Sequence, residues 1–83
     1  MHVTVISPLE ARFAGEAQSL VVPAYDGQVG ILPHHAPFMT LLGEGVLSIR
    51  HGSETTKLVI YGGFLQVVSD EVRIVTDRIA DIS

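Results

Sequence analysis

The adjacent histidines His34 and His35 have the most obvious chemical potential in this sequence. Imidazole nitrogens bind transition metals, so a pair of them could begin a metal site. Neighbouring residues on an extended strand, however, point to opposite faces. The chain has no cysteine to complete a ligand set, and His2 and His51 lie in unrelated predicted strands. We therefore expect no metal.

Catalytic and phosphate-binding patterns are equally weak. Ser7, His35 and Asp77 could nominally form a triad, but no serine lies in a Gly-x-Ser-x-Gly elbow. The segment Gly27-Gln28-Val29-Gly30 lacks the lysine and the following Ser or Thr of a phosphate-binding loop. The carboxylates mostly flank turns, as solvated side chains do. We expect no catalysis and no cofactor.

Charge and hydropathy exclude other functions. The formal net charge is −4, and the five basic residues are scattered, which argues against nucleic-acid binding. No apolar run approaches the roughly 20 residues of a membrane helix. The first residues lack the features of a signal peptide, so a cytosolic or cytosol-facing protein is expected. Charged residues make up only 17% of the chain, against an average of about 25%. Either a partner covers part of the surface, or the domain is a compact sandwich of short strands.

Residues 26–40 are the most informative stretch of the chain. Asp26-Gly27 is a turn signal, because glycine accepts a positive φ. Pro33 and Pro37 fix φ and favour an extended conformation in the residues before them. A stretch this apolar is unlike a free surface loop, and it predicts a rigid edge of a β domain.

Short runs rich in Val and Ile, separated by turn residues, indicate strands along most of the chain. The predicted strands are residues 2–6, 17–22, 28–32, 37–42, 46–51, 55–61, 64–69 and 72–76. This pattern favours an all-β sandwich or barrel. The four runs between residues 46 and 76 predict a meander of antiparallel hairpins. No long helix is predicted, although residues 78–82 could begin a helical turn.

Several short motifs occur in a fixed order along nearly the whole chain. They are Ser7-Pro8, Phe13-Ala14-Gly15-Glu16, Val22-Pro23, residues 26–37, Thr40, Gly45-Val46, Gly62-Gly63-Phe64 and residues 72–77. In this order and at this spacing they resemble the N-terminal domain of the ATP synthase epsilon subunit. That family comprises the bacterial and chloroplast epsilon chains and the equivalent mitochondrial delta subunit.

The resemblance implies a flattened antiparallel β-sandwich of about ten short strands, with residues 1–83 as one domain. It also implies a non-catalytic rotor subunit at the foot of the central stalk. Such a subunit joins the gamma subunit to the c ring and couples ion flow to ATP synthesis. Its expected place is the cytoplasmic face of the energy-coupling inner membrane, reached only through the complex.

The resemblance further implies two contact surfaces. The turn Tyr25-Asp26-Gly27-Gln28 is expected to face the c ring. The face bearing Ser7, His35 and Thr40 is expected to pack against gamma, which leaves His34 exposed. Phe38 and Met39 could fill pockets of gamma, or they could be core side chains of the fourth predicted strand.

The sequence departs from the family in two respects. The family usually has glycine where this chain has His34, so the backbone there must tolerate a Cβ. Family members also usually continue into two inhibitory C-terminal helices, which this sequence lacks. We expect a naturally short subunit rather than a truncated form, because the sequence begins with Met and carries no tag.

A competing hypothesis is a free-standing β-sandwich module that binds a small ligand or a sugar. Such a module needs a concave cluster of aromatic and polar groups. Aromatic residues make up only 6% of this chain, which gives that hypothesis little support.

Overall fold

The structure is a computed structural model that describes residues 1–82. Ten strands make up most of this range. In chain order they are β1 (His2–Ile6), β2 (Ala11–Glu16), β3 (Ser19–Ala24), β4 (Gly27–Ile31), β5 (Phe38–Leu41), β6 (Glu44–His51), β7 (Glu54–Tyr61), β8 (Phe64–Val68), β9 (Glu71–Val75) and β10 (Ile79–Asp81). The predicted domain extended to Ser83, which lies outside the described residues.

The strands form two five-stranded sheets. The first sheet has the order β2-β1-β9-β8-β5, and the second has the order β10-β7-β6-β3-β4. Neighbouring strands are antiparallel except β1 and β9, which pair in parallel. The predicted all-β sandwich is therefore confirmed, and the parallel pair is a feature that the sequence did not predict.

The core lies between the sheets and is built from alternate residues of each strand. On β1 the buried residues are Val3 and Val5, and on β9 they are Val72 and Ile74. Each fully buried side chain of this size stabilises the fold by about 1.5–3 kcal/mol. Period-two alternation was the signal behind the prediction of β1, whose bounds match the predicted run.

Two strands were missed, because their sequences do not alternate clearly. In β2 the side chains are half-buried or exposed throughout. The sequence left open a helical turn beginning in residues 78–82, but residues 79–81 pair antiparallel with β7 instead. Ile79 lies opposite Ile60 and packs against the core, so the strand partly buries its side chain. The second predicted strand was also misplaced: β3 runs through Pro23 and ends at Ala24.

The predicted hairpin between β7 and β8 is wrong, because these strands belong to different sheets. Gly62-Gly63 carries the chain across the sandwich. Gly63 has φ +103, and a Cβ on it would lie 1.9 Å from the carbonyl oxygen of Val75. Only glycine permits such a close approach of two backbones. The double glycine thus marks a crossing between sheets rather than a tight turn.

Three such crossings meet at one corner of the sandwich, which we call the crossover corner (residues 42–43, 62–63 and 76–78). The Leu42 N–H donates to the Gly63 carbonyl at 2.9 Å, and the Gly62 N–H donates to the Gly43 carbonyl at 3.2 Å. The Thr76 hydroxyl donates to the Gly62 carbonyl at 2.8 Å. Thr76 is the one polar side chain that is buried among residues 1–82, and its hydroxyl joins two of the crossings.

Replacing Thr76 tests the importance of this corner. Thr76→Val keeps the shape of the side chain but leaves the Gly62 carbonyl and the Tyr61 N–H, which donates to the hydroxyl at 3.2 Å, without that partner. We expect the free energy of unfolding to fall by about 1–3 kcal/mol in urea titrations. Thr76→Ser keeps the hydroxyl and should lose about 1 kcal/mol or less. An equal loss in both variants would show that the hydroxyl is unimportant.

Candidate interaction surface

Strand β5, at one edge of the first sheet, exposes apolar side chains. Met39 is 63% exposed and Leu41 is 64% exposed, and both point away from the core. Phe38 and Thr40 are half-buried on the inner face, opposite the buried residues Val67 and Leu65 of β8. Large apolar side chains that alternate along an edge strand indicate a surface that another protein covers.

Side chains from two other elements extend this apolar surface. Tyr25, Met39, Thr40, Leu41 and Phe64 line one shallow concavity, which we call the edge patch. The backbone N–H of Tyr25 donates to the Leu41 carbonyl at 3.0 Å, so the β3–β4 turn is tied to β5. Tyr25 itself is 68% exposed. The edge patch offers aromatic and aliphatic surface with few polar groups, which suits a protein partner.

The predicted turn at Asp26-Gly27 is confirmed as the tip of the β3–β4 hairpin. Ala24 pairs with Gly27, and Gly27 has φ +136. Asp26 and Gln28 are exposed at this tip. Tyr25 lies in the same turn but lines the edge patch, so the two predicted contact sets adjoin at this residue.

The structure distinguishes between the alternatives for Phe38 and Met39. Phe38 packs against the core and stacks in a tilted geometry on His35, with ring centroids 5.5 Å apart. The neighbouring Met39 lies on the opposite face of β5, where it is exposed, so of the two alternatives the core position does not apply to it. His35 is half-buried, and its Nδ1 lies 2.7 Å from the Ala36 carbonyl oxygen.

The histidine pair was expected in an extended conformation, but Pro33-His34 forms a turn instead. His34 is exposed with φ +65, a conformation that is rare for a residue with a Cβ. Its N–H donates to Asp70 Oδ1 at 2.7 Å. This backbone hydrogen bond is the main reason why the pKa of Asp70 lies below its usual range.

Ser7 lies in a different part of the first sheet. It forms the β1–β2 turn, where its N–H donates to the Glu10 carbonyl at 2.8 Å. β9 and β8 separate β1 from β5, so about 14 Å of sheet lies between Ser7 and the edge patch. The structure thus groups Met39 and Thr40, places His35 and Phe38 just before them, and leaves Ser7 apart.

Sequence reasoning missed Leu41 and Phe64 as members of this surface. The alternation within β5 puts Leu41 on the same side as Met39, and this could have identified it. Phe64 lies opposite Leu41 in the neighbouring strand. Its position could not be foreseen while β8 was assigned to a hairpin with β7.

Other kinds of site find no support in the described part of the chain. No group of three or more His, Cys, Asp or Glu side chains within residues 1–82 could hold a metal ion. No helix in the same residues is long and apolar enough to cross a membrane.

Comparison with known proteins gives a family match over residues 1–82, to the model described as the β-sandwich domain of the ATP synthase delta/epsilon chain. The ATP synthase epsilon chain of Leptospira borgpetersenii is 47% identical over 78 residues, which cover 94% of this chain and 61% of that protein. The epsilon chain of Maricaulis maris is 34% identical over 85 residues, which cover 99% of this chain and 64% of that protein. The chain thus spans less than two thirds of the length of these relatives.

Solved structures show the same fold. A structure of the central stalk and c ring of the Tetrahymena thermophila mitochondrial ATP synthase contains a chain that matches with a TM-score of 0.84 and 20% identity, over 96% of this chain and 65% of that chain. A structure of the Euglena gracilis mitochondrial ATP synthase that includes F1 and the c ring contains a match with a TM-score of 0.87 and 25% identity, over 94% of this chain and 51% of that chain.

The opposite orientations of Phe38 and Met39 predict different costs of truncation. Phe38→Ala should lower the free energy of unfolding by about 2 kcal/mol, roughly half the loss at a fully buried phenylalanine. Met39→Ala, on the exposed face of the same strand, should cost less than about 0.5 kcal/mol. Urea titrations of both variants would test this. A larger loss for Met39→Ala would contradict the orientation of β5.

Proposed function

The chain belongs to the family of ATP synthase delta/epsilon chain β-sandwich domains, and on that premise we propose that it is a non-catalytic subunit of the rotor of an F-type ATP synthase. The family match over residues 1–82 supports this role, as does the likeness to chains in structures of the central stalk and c ring. We further propose that residues 1–83 act as one domain.

The gamma subunit is the proposed partner of the edge patch. The main support for this proposal is that Met39 and Leu41 expose most of their side-chain surface on a short edge strand, beside Tyr25 and Phe64. Burial of such side chains in a partner gives large favourable contacts, because apolar anchors dominate the energy of protein interfaces. The proposed gamma surface therefore has Met39 and Leu41 at its centre, with the half-buried Thr40 between them.

The remaining proposed gamma contacts flank this centre. His35 and Phe38 precede the edge patch in the chain, and their rings stack on each other beside it. Ser7 is a separate contact, because about 14 Å of sheet lies between it and β5. A partner that touches both must span the first sheet.

The c ring is the proposed partner of the β3–β4 turn. Tyr25, Asp26, Gly27 and Gln28 form this turn, and its tip exposes a carboxylate and an amide. Polar groups of this kind fix register and specificity more than they add affinity. The tip of one hairpin would thus contact the c ring, with Tyr25 of its two-residue loop at the border with the proposed gamma surface.

Two adjoining contacts allow one small domain to hold gamma to the c ring. If both partners turn together, ion flow through the membrane sector drives rotation of gamma and hence ATP synthesis. The subunit would lie at the cytoplasmic face of the energy-coupling inner membrane, held there only through the complex.

Binding to purified gamma tests the proposal directly. Leu41→Asp places a charge within the edge patch and should weaken the affinity for gamma by at least about tenfold, with a small change in melting temperature. Thr55→Asp introduces the same charge as a control, because Thr55 is exposed on β7 in the second sheet and belongs to neither proposed contact set. Equal affinities for the two variants, or no binding by the unmodified chain, would refute the gamma contact.

The absence of cysteine from the sequence permits a second test by cross-linking. With Met39→Cys in the assembled complex, a short bifunctional reagent should link the chain to gamma. Asp26→Cys should link it to a c subunit. Thr55→Cys, on the second sheet, serves as the control and should link to neither partner. The assignment of the two surfaces would be wrong if Asp26→Cys linked to gamma alone and Met39→Cys to the c ring alone.

A further inference from the structure

The turn that leads into β5 contains an unusual backbone conformation. His34 has φ +65, which brings the Cβ of an L-residue close to its own backbone. Such a conformation persists only where surrounding contacts hold it. The nearby prolines, Pro33 and Pro37, restrict their own φ angles but leave that of His34 free.

Asp70 supplies a contact that holds His34. Its Oδ1 accepts the His34 N–H at 2.7 Å, although the two residues are 36 positions apart. Asp70 lies in the two-residue loop of the β8–β9 hairpin, where Ser69 has φ +51 and Asp70 has φ +61. Positive φ at both positions is typical of a type I′ turn, which matches the twist of paired strands. The hairpin therefore holds the carboxylate in a fixed place.

Through this hydrogen bond, β8 and the loop that follows it contact both β5 and the turn that precedes β5. β8 pairs with β5 along its length, and the loop after β8 binds the turn that precedes β5. That turn carries His35, whose ring stacks on Phe38 at the start of β5. Release of His34 would free the backbone to take a negative φ, and this would move His35 and the first residues of the strand.

We propose that Asp70 is a positioning residue, which keeps the His34 turn in the left-handed conformation that places His35, Phe38 and the adjoining edge patch for binding to gamma. This inference rests on the proposed function. The lowered pKa of Asp70 agrees with a carboxylate that accepts a backbone hydrogen bond.

A rescue experiment separates positioning from a general loss of stability. Asp70→Ala removes the acceptor, so His34 should leave its left-handed conformation in most molecules. The affinity for gamma should then fall by about tenfold, in proportion to the fraction of molecules that keep the competent turn. His34→Gly in the same chain should restore the affinity to within about threefold, because glycine adopts a positive φ without support.

Amide NMR signals of the isolated chain give a readout that does not need gamma. In Asp70→Ala the signals of His34, His35 and Phe38 should shift, and the His34 amide should exchange with solvent at least about tenfold faster. Glu16→Gln is the matched control. Glu16 and Asp70 lie 3.8 Å and 3.5 Å from the Met1 ammonium, so this variant removes a carboxylate from the same neighbourhood without affecting His34.

The outcomes distinguish this inference from the proposed function. If the unmodified chain does not bind gamma, the proposed function fails, and the amide signals alone decide the role of Asp70. If Asp70→Ala leaves those signals unchanged, or if His34→Gly does not restore the affinity, positioning is refuted. Should Asp70→Ala not fold, Asp70→Asn keeps an acceptor oxygen and should show a smaller shift of the same signals. Unfolding of both variants would also refute the inference.

Discussion

The close packing of three backbone crossings at one corner is the constraint on which this small sandwich depends. Residues 42–43, 62–63 and 76–78 all pass between the sheets there, linked by backbone hydrogen bonds and by the Thr76 hydroxyl. The space is so limited that a Cβ on Gly63 would overlap the backbone of Val75 and Thr76. No side chain fits at Gly63, so glycine and the hydrogen bonds at this corner determine how the chain crosses between the sheets.

This corner also fixes the surface on which the proposed function rests. Leu42 follows β5 directly and is buried, so the end of the edge strand is anchored in the corner. Its start is held by the turn at His34 and by the pairing of Phe38 with Val67. A strand fixed at both ends presents Met39 and Leu41 in one arrangement. Such pre-organisation reduces the ordering cost of binding, which is a large part of the free energy of association.

The sequence predicted those parts of the fold that follow from local patterns. β1 was predicted with its observed bounds because Val3 and Val5 alternate with polar residues. The crossing at Gly62-Gly63 was not predicted, because a pair of glycines gives the same local sequence pattern in a hairpin turn and in a crossing between sheets. Likewise, the exposed face of Met39 follows from alternation once β5 is known, whereas the bond between His34 and Asp70 joins distant positions and depends on the assembled fold.

The two lateral ends of the sandwich differ in the side chains that they expose, and this difference bears on the low content of charged residues. At one end, Arg12 of β2 binds Glu10 and also reaches Asp81 of β10, so an ionic contact joins the outer strands of both sheets. The hydrogen bond with Glu10 is the main reason why the pKa of Arg12 is raised. Charges of this kind protect edge strands from pairing with other chains.

The opposite end has no comparable protection in the described residues. There β5 exposes Met39 and Leu41, and the neighbouring strand and turn add Phe64 and Tyr25. A compact sandwich alone would explain a low overall charge, but it would not explain why four exposed apolar side chains share one patch beside β5 while an ionic contact joins the outer strands at the other end. This difference supports the proposal that a partner covers part of the surface, at the edge patch beside β5.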